Sequence, residues 1–413
     1  ILAFSKNRRR RSVCKLGGIP LFFNINELLV FGVPVVLNPI FLIPFIATPL
    51  VCYSIAYFAT AANIVPQIVN SGVQWTTPVI ISGYTATGSV AGSLLQLFLI
   101  AVGVAIYVPF VLLDNRIAER NETKYVQKLT DVCKKCEQND VPYSLVKEKL
   151  ALRTFEDLIA KKLKDDVDGG SITLKYQPQV ENEKIVSAEA LLRFSYGNAG
   201  YLYPPLVVGI ATNAGLFEDL SRAIVRRALA DLVDAQKADP SFKIAVNLTL
   251  DLIMRESFRK WLIETVKNSA VTPRTFGVEL TEDAKLSDSV DFRQVFDEIK
   301  DAGMEILMDD FSMGHTSVTI LQKNLFDYVK IDGNLIKHLD NERSRSIVSS
   351  IVNLGKTLNF HVVAEFVETE AQRDILKEMG CNIYQGYLYY KDVPATELNA
   401  LLAEQTHAEA TED

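Results

Sequence analysis

The second half of the chain repeats a short apolar run that ends in a polar group and is followed by an amphipathic stretch. The six runs read IVSAEALLRF (185–194), KIAVNLT (243–249), FGVELTE (276–282), EILMDDF (305–311), YVKID (328–332) and VVAEFVE (362–368). Between them, apolar residues recur three or four positions apart, which predicts helices that cover a sheet. The order strand, acid, helix predicts an α/β fold, a TIM-like (β/α)8 barrel of parallel strands, with its first strand at 172–180 and its last at 382–389.

The polar groups at the strand ends indicate a site, because core packing has no use for a carboxylate at every strand end. In a parallel barrel the carboxyl ends of all strands lie on one face, where the active sites of such barrels are built. The side chains predicted to meet there are Glu189, Asn247, Glu279, Asp309, Asp310, Lys330, Asp332, Glu365, Glu368 and Gln385.

Carboxylate and amide oxygens without histidine favour hard divalent cations, here two Mg²⁺ or Mn²⁺ ions. The adjacent Asp309 and Asp310 would let one carboxylate bridge both ions. Two ions about 3.5–4 Å apart stabilise the attacking and leaving oxygens of a displacement at phosphorus. A metal-dependent phosphodiester hydrolase with Lys330 beside the water follows; enolase-like proton abstraction with Lys330 as base is the alternative.

The first half of the chain is almost free of charge, since residues 16–113 contain Glu27 and no other acidic or basic side chain. Residues 40–62 and 94–113 are each about as long as the ~20 apolar residues that cross a bilayer. A buried soluble core is the alternative, but soluble domains are usually about 25% charged. We therefore expect contact with a lipid bilayer through residues 19–113, with 75–89 as a re-entrant segment.

Basic residues flank the apolar region on both sides, which predicts that both of its ends lie in the cytoplasm. Residues 116–170 are charged and helix-periodic and predict a cytosolic connector, broken near Pro142. The predicted domains are thus 1–115 in the membrane, the connector 116–170, the barrel 171–404 and a disordered tail 405–413. A net charge of −7 argues against binding to a nucleic acid polymer.

Two segments of the first half, IPLFFNINELLVFGVPVVLNPIFLIPF and VQWTTPVIISGYTATGS, resemble a permease. They are similar to the C-terminal quarter of the enzyme IIC sugar permease of the phosphotransferase system, cellobiose/diacetylchitobiose type, over residues 3–115. The resemblance implies that Glu27 contacts sugar hydroxyls, although the family's Asn-Glu-Pro-Ile is here Asn-Glu-Leu-Leu. Most of the permease is missing, so we expect an anchor or sensor for sugar rather than a transporter.

The motifs YQP, EALLRF, NLT, ELTE, DDFSMG, KID, AEFVET and QGY occur in one order between residues 171 and 404. They resemble the EAL phosphodiesterases, which hydrolyse cyclic di-GMP to linear pGpG and form homodimers through the barrel. The resemblance implies a first metal on Glu189, Asn247, Glu279 and Asp309, and a second near Asp309, Asp310 and Glu365. It implies Lys330 and Asp332 beside the water, Glu365 as general base, Glu282 as support of a loop, and Gln177, Arg193, Gln385 and Glu368 as substrate-binding residues.

Two departures from the family pattern affect the expected activity. Ser312 and Met313 follow the paired aspartates where Gly-Thr is usual, and Phe366 stands where Gly is usual and is expected to crowd the second metal. A catalytically weak cyclic di-GMP receptor coupled to the permease-like segment is therefore the alternative to a membrane-tethered enzyme.

Overall fold

The computed structural model describes residues 8–25, 27, 38–145, 150–281, 292–312, 321 and 325–412. Glu282 and Met313 lie outside the described residues, so their predicted roles stay predictions. The chain divides into two compact units, one of Ile1–Gln127 with Gly197–Ala199 and one of Lys128–Tyr196 with Gly200–Asp413.

The first unit is helical. Its helices are α1 (Arg8–Phe22), α2 (Pro39–Ala61), α3 (Ile81–Thr87) and α4 (Val90–Gln138), the last of which extends beyond this unit. Helices α2 and α4 are long and apolar enough to cross a membrane, and most of the side chains in their apolar stretches are not buried inside the protein. Apolar side chains that are exposed in this way are favourable when they contact lipid. These helices therefore indicate membrane association.

Polar side chains in this unit bind its own backbone. Asn24 donates from Nδ2 to the carbonyls of Trp75 and Thr77 at 3.0 and 2.9 Å. Asn38 caps α2 by accepting from the amide of Ile40 at 2.9 Å. The predicted sugar contact, Glu27, is exposed. The segment predicted to be re-entrant contains the short helix α3, whose Gly83 amide donates to Gln96 at 2.9 Å.

The second unit alternates strands and helices in the predicted order. Its strands are β1 (Leu174–Glu181), β2 (Lys184–Leu192), β3 (Lys243–Asn247), β4 (Phe276–Thr281), β5 (Met304–Phe311), β6 (Tyr328–Ile331), β7 (His361–Ala364), β8 (Ile383–Gln385) and β9 (Val393–Pro394). Its helices are α5 (Leu150–Asp168), α6 (Pro204–Asn213), α7 (Phe217–Ala235), α8 (Leu250–Met254), α9 (Glu256–Lys267), α10 (Phe292–Asp301), α11 (Gly333–Lys337), α12 (Glu342–Leu358), α13 (Glu370–Met379) and α14 (Ala395–Glu412).

Within the described residues, strands β1 to β8 close into a barrel, which confirms the predicted fold class. Strands β2 to β8 are parallel, but β1 runs antiparallel to both of its neighbours, so the prediction of eight parallel strands was wrong for β1. The reason is the two-residue turn at Asn182 and Glu183, whose φ angles of 51° and 65° are those of a type I′ hairpin. A hairpin reverses the chain, so the amino end of β1 lies at the carboxyl face of the barrel.

The carboxyl-terminal residues are also ordered differently from the prediction. Helix α14 runs to Glu412, so the tail expected to be disordered from residue 405 is helical up to that point. Its sequence is rich in Ala and Glu, which favour helices. Gln405 also bonds to the barrel, because it donates to the carbonyl of Ile185 at 3.2 Å and accepts from its amide at 2.7 Å.

Candidate active site

A buried ammonium group lies at the centre of the predicted site. Lys330, on β6, is fully buried, and its Nζ contacts carboxylates from four other strands or strand ends. The distances are 2.9 Å to Glu189 Oε2, 3.1 Å to Glu279 Oε2, 3.0 Å to Asp309 Oδ1 and 2.8 Å to Glu365 Oε1. Because burying a single cation is costly unless it is paired, this ring of acids explains why a lysine is tolerated in the barrel core.

Glu189 is held by hydrogen bonds from three directions. Asn247 Nδ2 donates to its Oε1 at 2.7 Å, while Gln385 Nε2 donates to its Oε2 at 2.8 Å beside the Lys330 ammonium. Burial acts to raise the pKa of Glu189, but the charge of Lys330 and these hydrogen bonds outweigh burial and lower the pKa below its ordinary value. This carboxylate therefore stays ionised, as a metal ligand must.

The pKa of Glu279 is shifted in the opposite direction from that of Glu189. It is completely buried at the end of β4, and burial together with the nearby Glu189 and Asp309 raises its pKa well above the ordinary value. Its Oε1 has no hydrogen-bond partner among the described residues. A buried carboxylate oxygen without a partner is costly, and a cation beside it would satisfy it.

The second group of carboxylates is Asp309, Asp310 and Glu365. One oxygen from each lies within 4.8 Å of the others, and the same holds for Glu189, Glu279 and Asp309, so Asp309 belongs to both groups. Burial and the charges of Asp309 and Asp332 raise the pKa of Asp310 to about 6. For Glu365, burial and the charge of Asp309 outweigh the opposing charge of Lys330 and raise the pKa to about 7.

These donor sets fit hard divalent cations. They offer carboxylate oxygens, including the unpartnered Oε1 of Glu279, with the side-chain amide of Asn247 bonded to Glu189 and no histidine or cysteine in either group. The carboxylates predicted for the two metals thus lie in two groups that share Asp309, and their role as ligands stays a prediction.

Three glutamines and a serine form a chain of hydrogen bonds beside Glu189. Gln385 Nε2 also lies 3.2 Å from Gln177 Oε1, and Gln179 Nε2 donates to Gln385 Oε1 at 2.8 Å. Ser187 donates to Gln179 at 2.6 Å. Gln177 and Gln385 were predicted, whereas Gln179 was missed, although the period of two along β1 that places Gln177 inside the barrel places Gln179 there too. The chain fixes which way the Gln385 amide faces Glu189.

A cavity of about 340 Å³ opens over this cluster. Its lining includes the predicted site residues Gln177, Glu189, Asp309, Glu365, Glu368 and Gln385, together with Phe366, which was expected to crowd the second metal, and the unpredicted residues Leu191, Gly386 and Tyr387. Glu368 is exposed at its edge. Asp332 instead caps helix α11, accepting from the Asn334 amide at 2.7 Å.

Phe366 has the backbone that explains why glycine is expected there. Its φ of 51° lies in the left-handed region, which is strained for a bulky residue. The ring is 47% exposed, packs so closely on Gly333 that any Cβ there would overlap it, and lies 4.2 Å below the Lys337 ammonium. The ring therefore covers the start of α11 at the mouth of the cavity.

Arg193, predicted to bind substrate, is not in the lining of the cavity. Its Nε donates to Asp392 Oδ2 at 3.1 Å and its Nη1 to the Leu192 carbonyl at 3.0 Å. The same Asp392 oxygen lies 3.4 Å from Lys175 Nζ. Neither Asp392 nor Lys175 was predicted to take part in the site.

The model of the EAL domain matches residues 160–392, more than half of the chain. The chain belongs to the EAL domain family. Among curated proteins, this EAL chain is 32% identical over 235 residues to the probable cyclic di-GMP phosphodiesterase PdeB of Escherichia coli, covering 56% of this chain and 45% of that protein. It is 31% identical over 251 residues to the bifunctional diguanylate cyclase/cyclic di-GMP phosphodiesterase MucR of Pseudomonas aeruginosa, covering 58% and 36%. The chain thus spans less than half of either relative.

The barrel is also similar to solved structures of EAL proteins. The EAL barrel is similar to the PaMucR phosphodiesterase in its c-di-GMP complex, with 28% identity, a TM-score of 0.53, and coverage of 58% of this chain and 99% of that one. It shares the fold of the EAL enzyme Bd1971, with 24% identity, a TM-score of 0.55 and coverage of 62% and 70%. Residues 1–49 match the model of the phosphotransferase system EIIC, which confirms the permease resemblance for that stretch.

Proposed function

We propose that this EAL barrel hydrolyses cyclic di-GMP to linear pGpG with two Mg²⁺ or Mn²⁺ ions. The observation that carries the proposal is the ring of Glu189, Glu279, Asp309 and Glu365 around Lys330 beneath an open cavity. Relatives named as cyclic di-GMP phosphodiesterases support the choice of substrate.

Two overlapping groups of side chains would hold the ions. Glu189, Asn247, Glu279 and Asp309 would hold the first, and Asp309, Asp310 and Glu365 the second. When bound, such ions lower the pKa of a water and stabilise charge on the phosphoryl oxygens. The low pKa of Glu189 keeps that ligand charged, while the orphaned Glu279 oxygen gains a partner.

The remaining groups would prepare the substrate and move the proton. Hydrolysis adds one water across a single P–O3′ bond, so one proton must leave the water and one must reach the departing 3′ oxygen. Glu365 would accept the proton of the water, because its carboxylate lies in the wall of the cavity beside Asp309. Lys330 would neutralise charge on the phosphate, and the amides of Gln177 and Gln385 would hold the substrate at the wall of the cavity.

The first unit would tether the barrel to the bacterial cytoplasmic membrane, with the barrel on the cytoplasmic side. The apolar helices α2 and α4, the EIIC match and the basic residues flanking the apolar region support this arrangement. A sugar bound near Glu27 would then regulate the barrel. A homodimer through the barrel is part of the same proposal.

Measuring turnover by the full chain in detergent distinguishes a phosphodiesterase from a receptor that binds cyclic di-GMP without hydrolysing it. We expect Mg²⁺- or Mn²⁺-dependent conversion of cyclic di-GMP to pGpG, measured by chromatography. Glu189→Ala and Asp309→Ala should each abolish it, whereas Glu305→Gln, which removes a carboxylate from the other end of β5, should not. Binding of cyclic di-GMP without turnover would favour the receptor, which the exposed ring of the strained Phe366 at the cavity mouth makes the second candidate. Wild-type turnover by Asp309→Ala would contradict the two-metal site.

A further inference from the structure

A pair of cations lies above the site, at the rim of the barrel. Along β2, every second residue faces the same side, so Glu189 and Leu191 form a row that begins at the carboxylate cluster, and Arg193 follows directly after the end of the strand, at the rim. Strand β1 carries the matching row of Gln177 and Lys175, and the register places Lys175 opposite Leu191. Because β1 is antiparallel, Lys175 lies nearer the rim than Gln177.

A single carboxylate serves both cations. Asp392 Oδ2 lies 3.1 Å from Arg193 Nε and 3.4 Å from Lys175 Nζ, and the Asp392 carbonyl accepts from the same Nζ at 3.4 Å. All three side chains are between 20% and 27% exposed, so solvent and ligands reach them. Two cations on one carboxylate leave a net positive charge, which attracts a further anion.

The direction of the strand rows identifies that anion. A substrate phosphodiester beside Asp309 and Glu365 lies at the foot of the two rows, and a cyclic dinucleotide carries a second phosphodiester on the far side of its ring. The family resemblance already implies that Arg193 binds substrate. We propose, on the basis of the proposed function, that Lys175 joins Arg193 at the phosphate that is not cleaved, and that Asp392 is the counter-ion this phosphate displaces. Lys175 is thus a further substrate-binding residue, and Asp392 positions Arg193 in the free protein.

The chemistry of the pair suits this task. The arginine fork binds phosphate oxygens with fixed geometry, while the lysine ammonium acts as a point charge. The Asp392 carboxylate keeps the Lys175 and Arg193 side chains extended over the rim. Its negative charge also repels an incoming phosphate. Replacing that carboxylate by an amide of the same shape keeps the acceptor for Arg193 and removes the repulsion.

Equilibrium dialysis of the full chain with labelled cyclic di-GMP in EDTA tests the pair without hydrolysis. We expect Lys175→Met to weaken binding about tenfold, the loss of one charge-assisted hydrogen bond. We expect Asp392→Asn to tighten binding about threefold or more, because it removes one repulsive charge near the phosphate. Lys184→Met is the matched control, since it removes a lysine from the opposite end of β2 and should change binding less than twofold.

Turnover with Mg²⁺ gives an independent measurement. Lys175→Met should raise KM with kcat nearly unchanged, because the group touches a phosphate that does not react. If Lys175→Met matches Lys184→Met in both assays, or if Asp392→Asn weakens binding, the inference is wrong, while wild-type turnover still supports the proposed function. If the wild type neither binds nor hydrolyses cyclic di-GMP, the proposed function fails and the inference fails with it.

Discussion

Lys330 Nζ lies 2.8 Å from Oε1 of Glu365 at the centre of the barrel, and both groups are buried. Burial acts to lower the pKa of Lys330, but the charges of Glu189, Glu279, Glu365 and Asp309 outweigh it and hold that pKa well above its ordinary value. The protein therefore carries an internal cation among the groups proposed as metal ligands. This relationship would couple the stability of the barrel to the proposed metal binding and the proposed activity.

Replacement of that internal cation should destabilise the metal-free barrel more than the metal-loaded one. Lys330→Met leaves four carboxylates without a counter-charge, and breaking a buried ion pair costs about 3–5 kcal/mol. Thermal unfolding in EDTA and in excess Mn²⁺ measures the difference, and turnover should also fall strongly. Lys237→Met removes an exposed lysine and serves as control. An equal loss of stability with and without Mn²⁺ would contradict the proposed metal site.

Metal affinity should fall as the pH falls through about 7. Bound ions need deprotonated carboxylates, and the raised pKa values of about 7 for Glu365 and about 6 for Asp310 mean that protons compete there. In the metal-free barrel, stability depends on pH in the opposite direction. The pKa values of Glu365 and Asp310 lie above those of the unfolded chain, so the protonated carboxyls favour the folded state. Their contribution to the free energy of unfolding is complete below about pH 4 and is lost as pH rises through 6 and 7.

Titration of Mn²⁺ binding by electron paramagnetic resonance between pH 5.5 and 8 measures the effect. We expect the Kd to rise up to about tenfold per pH unit below 7, as one proton is displaced. Glu365→Gln should weaken binding and remove the inflection near 7. A Kd independent of pH in the wild type would show that these two carboxylates are not ligands.

Calcium should bind and yet inhibit. It prefers longer bonds and higher, looser coordination than Mg²⁺, so the two reacting oxygens would be held less tightly. Turnover measured in Mg²⁺ with increasing Ca²⁺ should fall, and an excess of Mg²⁺ should restore it. Equal rates in Ca²⁺ and Mg²⁺ would argue against a metal geometry that aligns the displacement.

Sugar binding by the first unit should be weak, because Asn24 and Asn38 are already bonded within the protein and Glu27 is exposed. Equilibrium dialysis with labelled cellobiose or diacetylchitobiose measures it. Glu27→Gln should leave turnover without sugar unchanged in detergent. Regulation by this unit would appear as a change of turnover when the disaccharide is added, and Glu27→Gln should abolish that change. Tight binding of either sugar would contradict the anchor interpretation.

The strands that carry acids, the barrel fold and the family can all be predicted from the amino-acid sequence. Glu189, Glu279 and Asp309 each follow an apolar run, so local periodicity is enough to place these three carboxylates on one face. The apolar helices were equally clear, because a long stretch without charge has few alternatives to lipid.

The direction of β1, the ring of carboxylates around Lys330 and the pairing of Arg193 with Asp392 depend on the folded barrel and could not be predicted from the sequence. The β1 turn uses Asn182 and Glu183 with positive φ, and this pair lacks the glycine that usually indicates such a hairpin. The ion pairs join residues up to about 200 positions apart, and their rotamers depend on which charges the closed barrel brings together. Periodicity along one strand places a side chain on a face, but the partner it meets there is set by the other strands.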